Sequence, residues 1–530
     1  MALRILMLGW EFPPFITGGL GTACYGLTRA LDRQHVEVTF VLPKSVPPDS
    51  ASHVRLVSPG SVLERAGSRL PAPPNSAGGL VSSPSVSEPV RNPPEWKPEA
   101  DPTEPMTVDE RAAWTSVVKE FTTTNFIEIP GIYPSVYDDQ CASLDTASFS
   151  PSPASVAEGV RLMREAGWSI ERIRTLARAG AFPEVMRDPV ERAIATALPE
   201  TAGRSKDHAS ARTADAADYS GDLMGMAERY ARFAADATRG MQFDAIHAHD
   251  WLTYPAGIAL ARLSGKPLIV HVHSTEFDRS GEHPNQQIYN IERRGMHAAT
   301  RAIAVSMLTK NVCVNRYGVS AGKIDVVYNG VDLNPSEAGV QPIHSKDKIV
   351  LYFGRITMQK GPEYFIQAAK RVLEYMDDVK FVVAGSGDQA QRMIEMAAQM
   401  GIGNKVLFTG FLRGRDISRV FAMADLYVMP SVSEPFGIAP LEALSHNVPV
   451  LISKSSGVSE VLMHALKVDF WDIEDMADKI IAVLRYPPLS RQLVEHGAFE
   501  IRGINWDGAA TRTARVYERA IAAAHSRQAF

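Results

Sequence analysis

Two glutamates eight positions apart bracket the stretch Glu434-Pro435-Phe436-Gly437-Ile438-Ala439-Pro440-Leu441-Glu442. The apolar run Leu426-Tyr427-Val428-Met429-Pro430 before it reads as a buried strand, and Ala439 to Leu444 reads as the opening of a helix. Pro440 suits a first turn, whose N–H groups have no intrahelical acceptors. Glu434 then lies in the loop and Glu442 about one turn into the helix. Backbone N–H groups near Gly437 and Ile438 make an anion site, because a helix start offers donors and partial positive charge. Gly437 admits close approach of a ligand to the backbone. Two carboxylates beside a phosphate cradle suit a sugar nucleotide, one holding sugar hydroxyls and the other a ribose. The plainer alternative is a turn-capping Glu434 and a solvated Glu442.

Three further clusters bear on that choice. Gly354-Arg355-Ile356-Thr357-Met358-Gln359-Lys360-Gly361 follows a strand pattern and carries two cations on one short loop. Arginine supplies a planar fork of donors and lysine a mobile point charge, so together they can neutralise a diphosphate. Asp250 and His273 each stand where an apolar strand pattern ends, and ligands of open α/β sheets sit beyond the carboxyl ends of strands. Either residue alone is more often a helix cap or a satisfied histidine, and His271 and His273 face the same side. Gly18 and Gly19, in Thr17-Gly18-Gly19-Leu20-Gly21, stand at a loop-to-helix junction, a place for phosphate or for a plain turn.

These residues need a scaffold of alternating strands and helices, and the pattern supplies it twice. A β-loop-α-β unit spans Arg4 to Leu42, and further strands and helices run from Asp222 to Asn329. After a polar, proline-bearing linker at 333–347 the alternation restarts, with strands at 349–353, 379–384, 406–409, 426–429 and 448–453. Helices are expected at about 361–375, 388–400, 415–423, 438–446, 457–464 and 473–485. The fold class is α/β: two doubly wound Rossmann-like domains, 1–332 and 348–505, facing across a cleft. A last helix in 506–530 can cross back to the first domain. Residues at about 45–215 form an insertion in the first domain. Between Pro47 and Pro105 lie 13 of the 35 prolines, a composition that buries little apolar surface. Helices are expected over 107–121 and within 154–200, and a strand over 125–130. The 530 residues carry net charge −5, with 45% apolar and 22% charged residues, so nucleic acid and anionic membranes exert no general attraction. Three scattered cysteines, Cys24, Cys141 and Cys313, suit a reducing compartment, and no apolar run is long enough to span a membrane.

With these residues in hand, the chain resembles the retaining GT-B glycosyltransferases that include the bacterial and archaeal glycogen and starch synthases (the family 4 and family 5 type). The resemblance rests on Gly18-Gly19-Leu20, His247-Ala248-His249-Asp250-Trp251, Val272-His273, Gly354-Arg355 with Lys360-Gly361, and Glu434 with Glu442, in that order. It covers about 1–44 and 222–530. It implies that His273 hydrogen-bonds the donor sugar, that Asp250 lies by the sugar or acceptor, and that Arg355 and Lys360 grip the leaving diphosphate. It likewise implies that Glu434 contacts sugar hydroxyls, that Glu442 contacts the ribose, and that Gly18, Gly19 and the Phe436-Gly437-Ile438 backbone bind phosphate and sugar. At the first loop the glycogen synthases carry Lys-Thr-Gly-Gly; here Ile16 replaces the lysine, which draws the chain toward the broader branch of the family.

The function so implied is transfer of a glucosyl unit from ADP- or UDP-glucose to an α-glucan with the α linkage kept. No cofactor or metal is expected, since the basic pair takes the place of a cation. The partners are a nucleotide sugar and an α-glucan or other carbohydrate acceptor, the site cytoplasmic, with no integral membrane segment; the sequence leaves the oligomeric state open. Alternatives are a retaining transferase of the same fold acting on a lipid, a sugar phosphate or a surface polysaccharide, and a non-catalytic carbohydrate-binding protein.

Overall fold

The computed structural model describes residues 3–12, 19–43, 53–58, 223–332 and 346–528. Gly18, Ile16, Cys141 and the expected elements at 107–121, 125–130 and 154–200 lie outside these residues.

The first half comprises β1 (Arg4–Leu8), α1 (Gly19–Arg33), β2 (Glu37–Val41), β3 (Arg55–Val57), α2 (Leu223–Ala237), β4 (Ala245–His249), α3 (Tyr254–Ser264), β5 (Leu268–Val272), α4 (Glu276–Ser280), α5 (Gln286–Ala298), β6 (Arg301–Ala304), α6 (Met307–Tyr317) and β7 (Ile324–Val326). Its seven strands form one sheet in the order β3-β2-β1-β4-β5-β6-β7, each pair parallel. The second half comprises β8 (Lys348–Phe353), α7 (Pro362–Leu373), β9 (Val379–Ala384), α8 (Ala390–Gln399), β10 (Val406–Gly410), α9 (Arg415–Ala422), β11 (Leu426–Met429), α10 (Ala439–Ser445), β12 (Val450–Ser453), β13 (Leu466–Val468), α11 (Ile473–Arg485), α12 (Pro487–Ile501) and α13 (Trp506–Gln528). Its sheet runs β10-β9-β8-β11-β12-β13, again all parallel. Strands covered by helices on both faces must be apolar throughout, which is why Leu268–Val272 and Leu426–Met429 are buried at every position. In each sheet the order reverses between the first strand and the fourth, β1 beside β4 and β8 beside β11. A crevice opens there beyond the strand ends. Asp250, Arg355 and Glu434 all follow strands at these two reversals.

The final helix α13 completes the first half. Trp506, Ala510, Val516 and Tyr517 are buried in one core with Leu27 and Leu31 of α1 and Met7 of β1. Three sequence-based expectations change. The chain keeps to the sheet past residue 45: Thr39, Phe40 and Val41 pair with Arg55, Leu56 and Val57. A three-residue edge strand set among prolines is too short to show a period. The helix expected over 457–464 is a single 3-10 turn, Gly457–Glu460. The amides of Gly457 and Val458 donate instead to the carbonyls of Glu434 and Phe436, at 2.9 and 2.7 Å. Residues 487–501, which the sequence pattern left unassigned, form α12, with Pro487 in its first turn.

Candidate active site between the two sheets

At the end of β4, Asp250 adopts φ 59°, a left-handed conformation that costs a non-glycine residue energy. Besides the Thr253 amide and hydroxyl on its carbonyl, three hydrogen bonds tie it to the next strand. Its N–H donates to the His271 carbonyl at 3.0 Å. Its Oδ1 accepts the amides of His273 at 2.7 Å and Ser274 at 3.3 Å. The carboxylate is thus turned onto the backbone of the next strand end, where it fastens the His273 loop. Burial pushes Asp250 up to about 7, against the opposing pull of those N–H groups and Arg279. Behind it, four imidazoles from β4 and β5 share one sheet face, because alternate residues of adjacent strands point the same way. His247 Nδ1 lies 2.7 Å from the Tyr517 hydroxyl and His247 Nε2 lies 3.2 Å from His271 Nδ1. His249 Nδ1 lies 2.9 Å from His273 Nε2. Burial lowers all four pKa values, those of His247 and His273 to about 3, so the rings are neutral near pH 7. Two groups bring possible ligand atoms within 4.8 Å of one another, Cys24 with His249 and His273, and His247 with His249 and His271.

Past His273 the chain forms a dense polar cradle. Asp278 Oδ2 accepts from the amide and hydroxyl of Thr275 at 2.7 and 2.8 Å, which caps α4. Arg279 donates to Ser274 Oγ at 2.7 Å and pairs with Glu276 and the buried Glu292, which also accepts from the Tyr317 hydroxyl and the Glu276 amide.

In the second half, Gly361 has φ 61°, and a Cβ there would stand 2.1 Å from the Pro430 carbonyl oxygen. Only glycine lets the loop after β8 lie this close to the end of β11. The approach delivers Lys360 to Glu434: the ammonium and carboxylate form a partly buried ion pair, and Ser431 Oγ donates to Glu434 Oε2 at 3.3 Å. Gln359 ties the two loops, accepting the Val432 amide at 3.0 Å and donating to the Ser433 carbonyl at 3.1 Å. Arg355 lies on the same loop, exposed, with no ion-pair partner among the described residues. Its carbonyl accepts the Tyr352 hydroxyl at 2.8 Å. Glu442 is half-buried on α10, its carboxylate unpaired among the described residues, and burial pushes it up to about 7. Phe436 is buried against Tyr328, ring centroids 6.0 Å apart. Gly437 has φ 99°, and a Cβ there would press on Glu434 Cγ at 3.2 Å. Ile438 packs against the cores of both halves. Gly19 begins α1, with open space beside its Cα.

The two halves meet beside Glu434. Ser433 Oγ donates to Asp278 Oδ1 at 2.6 Å. Glu460 accepts the Met307 and Leu308 amides at 2.9 and 2.7 Å, together with the Tyr328 hydroxyl at 2.9 Å. It thereby supplies acceptors that the first turn of α6 lacks. Lys360, Glu434 and Gly437 are therefore brought together. Asp250 and His273 are joined to each other, and the Asp278–Ser433 bond links the two groups of loops. Sequence reasoning missed Asp278, Ser433, Glu460 and His249. The density of charged and polar residues in Ser274-Thr275-Glu276-Phe277-Asp278-Arg279 was the one available signal.

Residues 335–498 match the family described as Glycosyl transferases group 1, residues 194–335 match Glycosyltransferase Family 4, and residues 4–63 match Starch synthase catalytic domain. An uncharacterized glycosyltransferase of Methanocaldococcus jannaschii is 32% identical over 302 residues, 53% of this chain and 76% of that protein. A glycogen synthase of Mycobacterium tuberculosis is 26% identical over 290 residues, 53% of this chain and 69% of that protein. The sucrose-phosphate synthase of Thermosynechococcus elongatus superposes with a TM-score of 0.57 at 16% identity, covering 98% of this chain and 100% of that one; it shares the fold.

Proposed function

The chain belongs to the GT-B glycosyltransferases, and on that premise we propose that it transfers a glucosyl unit from ADP- or UDP-glucose to an α-glucan, keeping the α configuration. The observation that carries this reading is the Lys360–Glu434 pair at the β8/β11 reversal, with Arg355 on the same loop. Lys360 and Arg355 receive the diphosphate and stabilise the charge that builds on it as the anomeric C–O bond breaks. When Lys360 turns to phosphate, Glu434 is released toward the sugar hydroxyls and the positive charge growing at the anomeric carbon. Glu442 takes the ribose, the Phe436-Gly437-Ile438 and Gly18-Gly19 backbones take phosphate and sugar, and His273 donates to the sugar. Asp250 acts through the His273 loop that it fastens. The acceptor oxygen forms its bond to the anomeric carbon on the face the phosphate leaves, and the departing phosphate oxygen takes the acceptor proton. The resemblance to the retaining GT-B transferases, with Glu434 as an electrostatic stabiliser, favours this front-face route over a covalent intermediate. A glycosyl–Glu434 adduct trapped in the intact-mass spectrum would overturn it. No metal is needed, since the two cations balance the leaving charge. The starch synthase match over 4–63 and the glycogen synthase relative support the glucan acceptor. No helix among the described residues is long and apolar enough to cross a membrane.

Ile16, in place of the lysine of the glycogen synthases, favours one second reading: a small sugar or sugar phosphate as acceptor. Radiolabelled ADP-, UDP- and GDP-glucose tested on glycogen, glucose and glucose phosphates, with product linkage determined, decides between them. The expected product is α-linked glucan. Label only in a small product would replace the glucan reading, and a β product would overturn retention.

A further inference from the structure

We infer that His249 is a positioning residue that fixes the tautomer of His273, holding its own proton on Nδ1 and donating it to His273 Nε2. His273 then carries its proton on Nδ1 and presents that N–H, as a donor, to the ligand. The inference rests on the reading of His273 as a sugar-binding residue for its purpose, but not for its test.

The argument starts from counting protons. The two ring nitrogens lie 2.9 Å apart, so one donates and the other accepts. His249 is buried and His273 half-buried, and burial keeps both rings neutral near pH 7, so each has one N–H. His249 is fully buried, and its Nε2 has no hydrogen-bond partner. If His249 accepted from His273, its own proton would sit on that Nε2 as a buried, unpaired N–H. If His249 donates, Nε2 is a bare lone pair. Buried unpaired N–H groups are the rarer defect in folded proteins, so the second arrangement is favoured. The neighbouring chain has the same polarity. His271 Nε2 is also buried and unpaired, so His271 donates through Nδ1 to His247 Nε2, and His247 donates through Nδ1 to the Tyr517 hydroxyl. His273 is the one ring of the four that is only partly buried, and its Nδ1 takes no partner among the described residues.

The test uses full-length protein labelled with 15N-histidine. Two-bond 1H–15N correlation spectra show which ring nitrogen is protonated, and His273→Gln identifies the His273 signals by their loss. Wild-type His273 is expected in the Nδ1–H form. His249→Phe removes the donor, and His273 is expected to shift to the Nε2–H form. Turnover should fall on the order of 10²-fold, the scale of a misaligned catalytic group, with donor KM changed by less than threefold. His249→Asn sets an amide N–H close to the position of Nδ1 and should restore both the tautomer and most of the turnover. Nε2–H on wild-type His273, or an unchanged His273 tautomer in folded His249→Phe, would overturn the inference. If His249→Phe does not fold, the wild-type spectrum alone decides. The expected spectra without transfer from any donor would sink the proposed reaction and leave the tautomer assignment standing.

Discussion

Replacing Lys360 with alanine removes one of the two cations proposed to face the leaving diphosphate and strands Glu434. The two effects have different sizes and are measured separately. Loss of one preorganised electrostatic donor at a developing oxyanion lowers kcat by about 10²–10³-fold, equivalent to roughly 3–4 kcal/mol. Breaking a fully buried ion pair costs about 3–5 kcal/mol. Here the lysine side chain keeps 22% of its exposure and the glutamate 8%, so water screens one end and the cost falls to about 1–3 kcal/mol. For a half of this size each kcal/mol lowers Tm by about 2–4 °C, giving a fall of about 2–12 °C by calorimetry. Lys360→Met combined with Glu434→Gln removes both charges and should regain most of the Tm while remaining inactive. A stability effect alone would be cured by that pair; a catalytic one would not. Release of nucleoside diphosphate at saturating donor is the activity assay. If Lys360→Ala keeps kcat within threefold of wild type, the diphosphate does not sit where the reasoning places it.

Glu442 has its folded pKa raised to about 7 from an ordinary 4.5, so between those values the unfolded chain has lost a proton that the native state keeps. Stability from this group therefore falls as pH rises from about 4.5 to 7; Glu442→Gln should flatten that slope in urea titrations at pH 5 and 8 and raise donor KM by about 10–100-fold, the worth of a charged hydrogen bond. Ser433→Ala removes the hydrogen bond to Asp278 across the cleft and should raise donor hydrolysis relative to transfer several-fold with little change in Tm. An unchanged partition between hydrolysis and transfer would show that this bond does not govern closure. Gly361→Ala forces a Cβ into the Pro430 carbonyl at φ 61° and should cost at least about 2 kcal/mol and most of the turnover. A Tm equal to wild type would mean that the loop does not need this approach.

The notable gaps in the sequence reading are matters of contact. Asp250 and His273 were legible as residues at strand ends, because an apolar run that breaks into polar residues marks the edge of a parallel sheet. That the Asp250 carboxylate turns back onto the His273 amide was not legible, since it depends on a strained φ that only the packed neighbours hold in place. The 457–464 segment has a helical pattern, yet its first amides serve the carbonyls of Glu434 and Phe436 across the fold. Local propensity lost there to tertiary hydrogen bonding.

What the sequence by itself determined is the pair of parallel sheets and the identity of the charged loops. Strands covered on both faces must be apolar throughout, and loops that crowd a phosphate must carry glycine and cations, so both requirements are written into consecutive residues. What only the tertiary structure decided is which side chain meets which: Lys360 with Glu434, Asp278 with Ser433, His249 with His273. Those partners are 74, 155 and 24 positions apart. Their meeting depends on strand order, sheet register and the approach of one half to the other, and no short window of sequence encodes these.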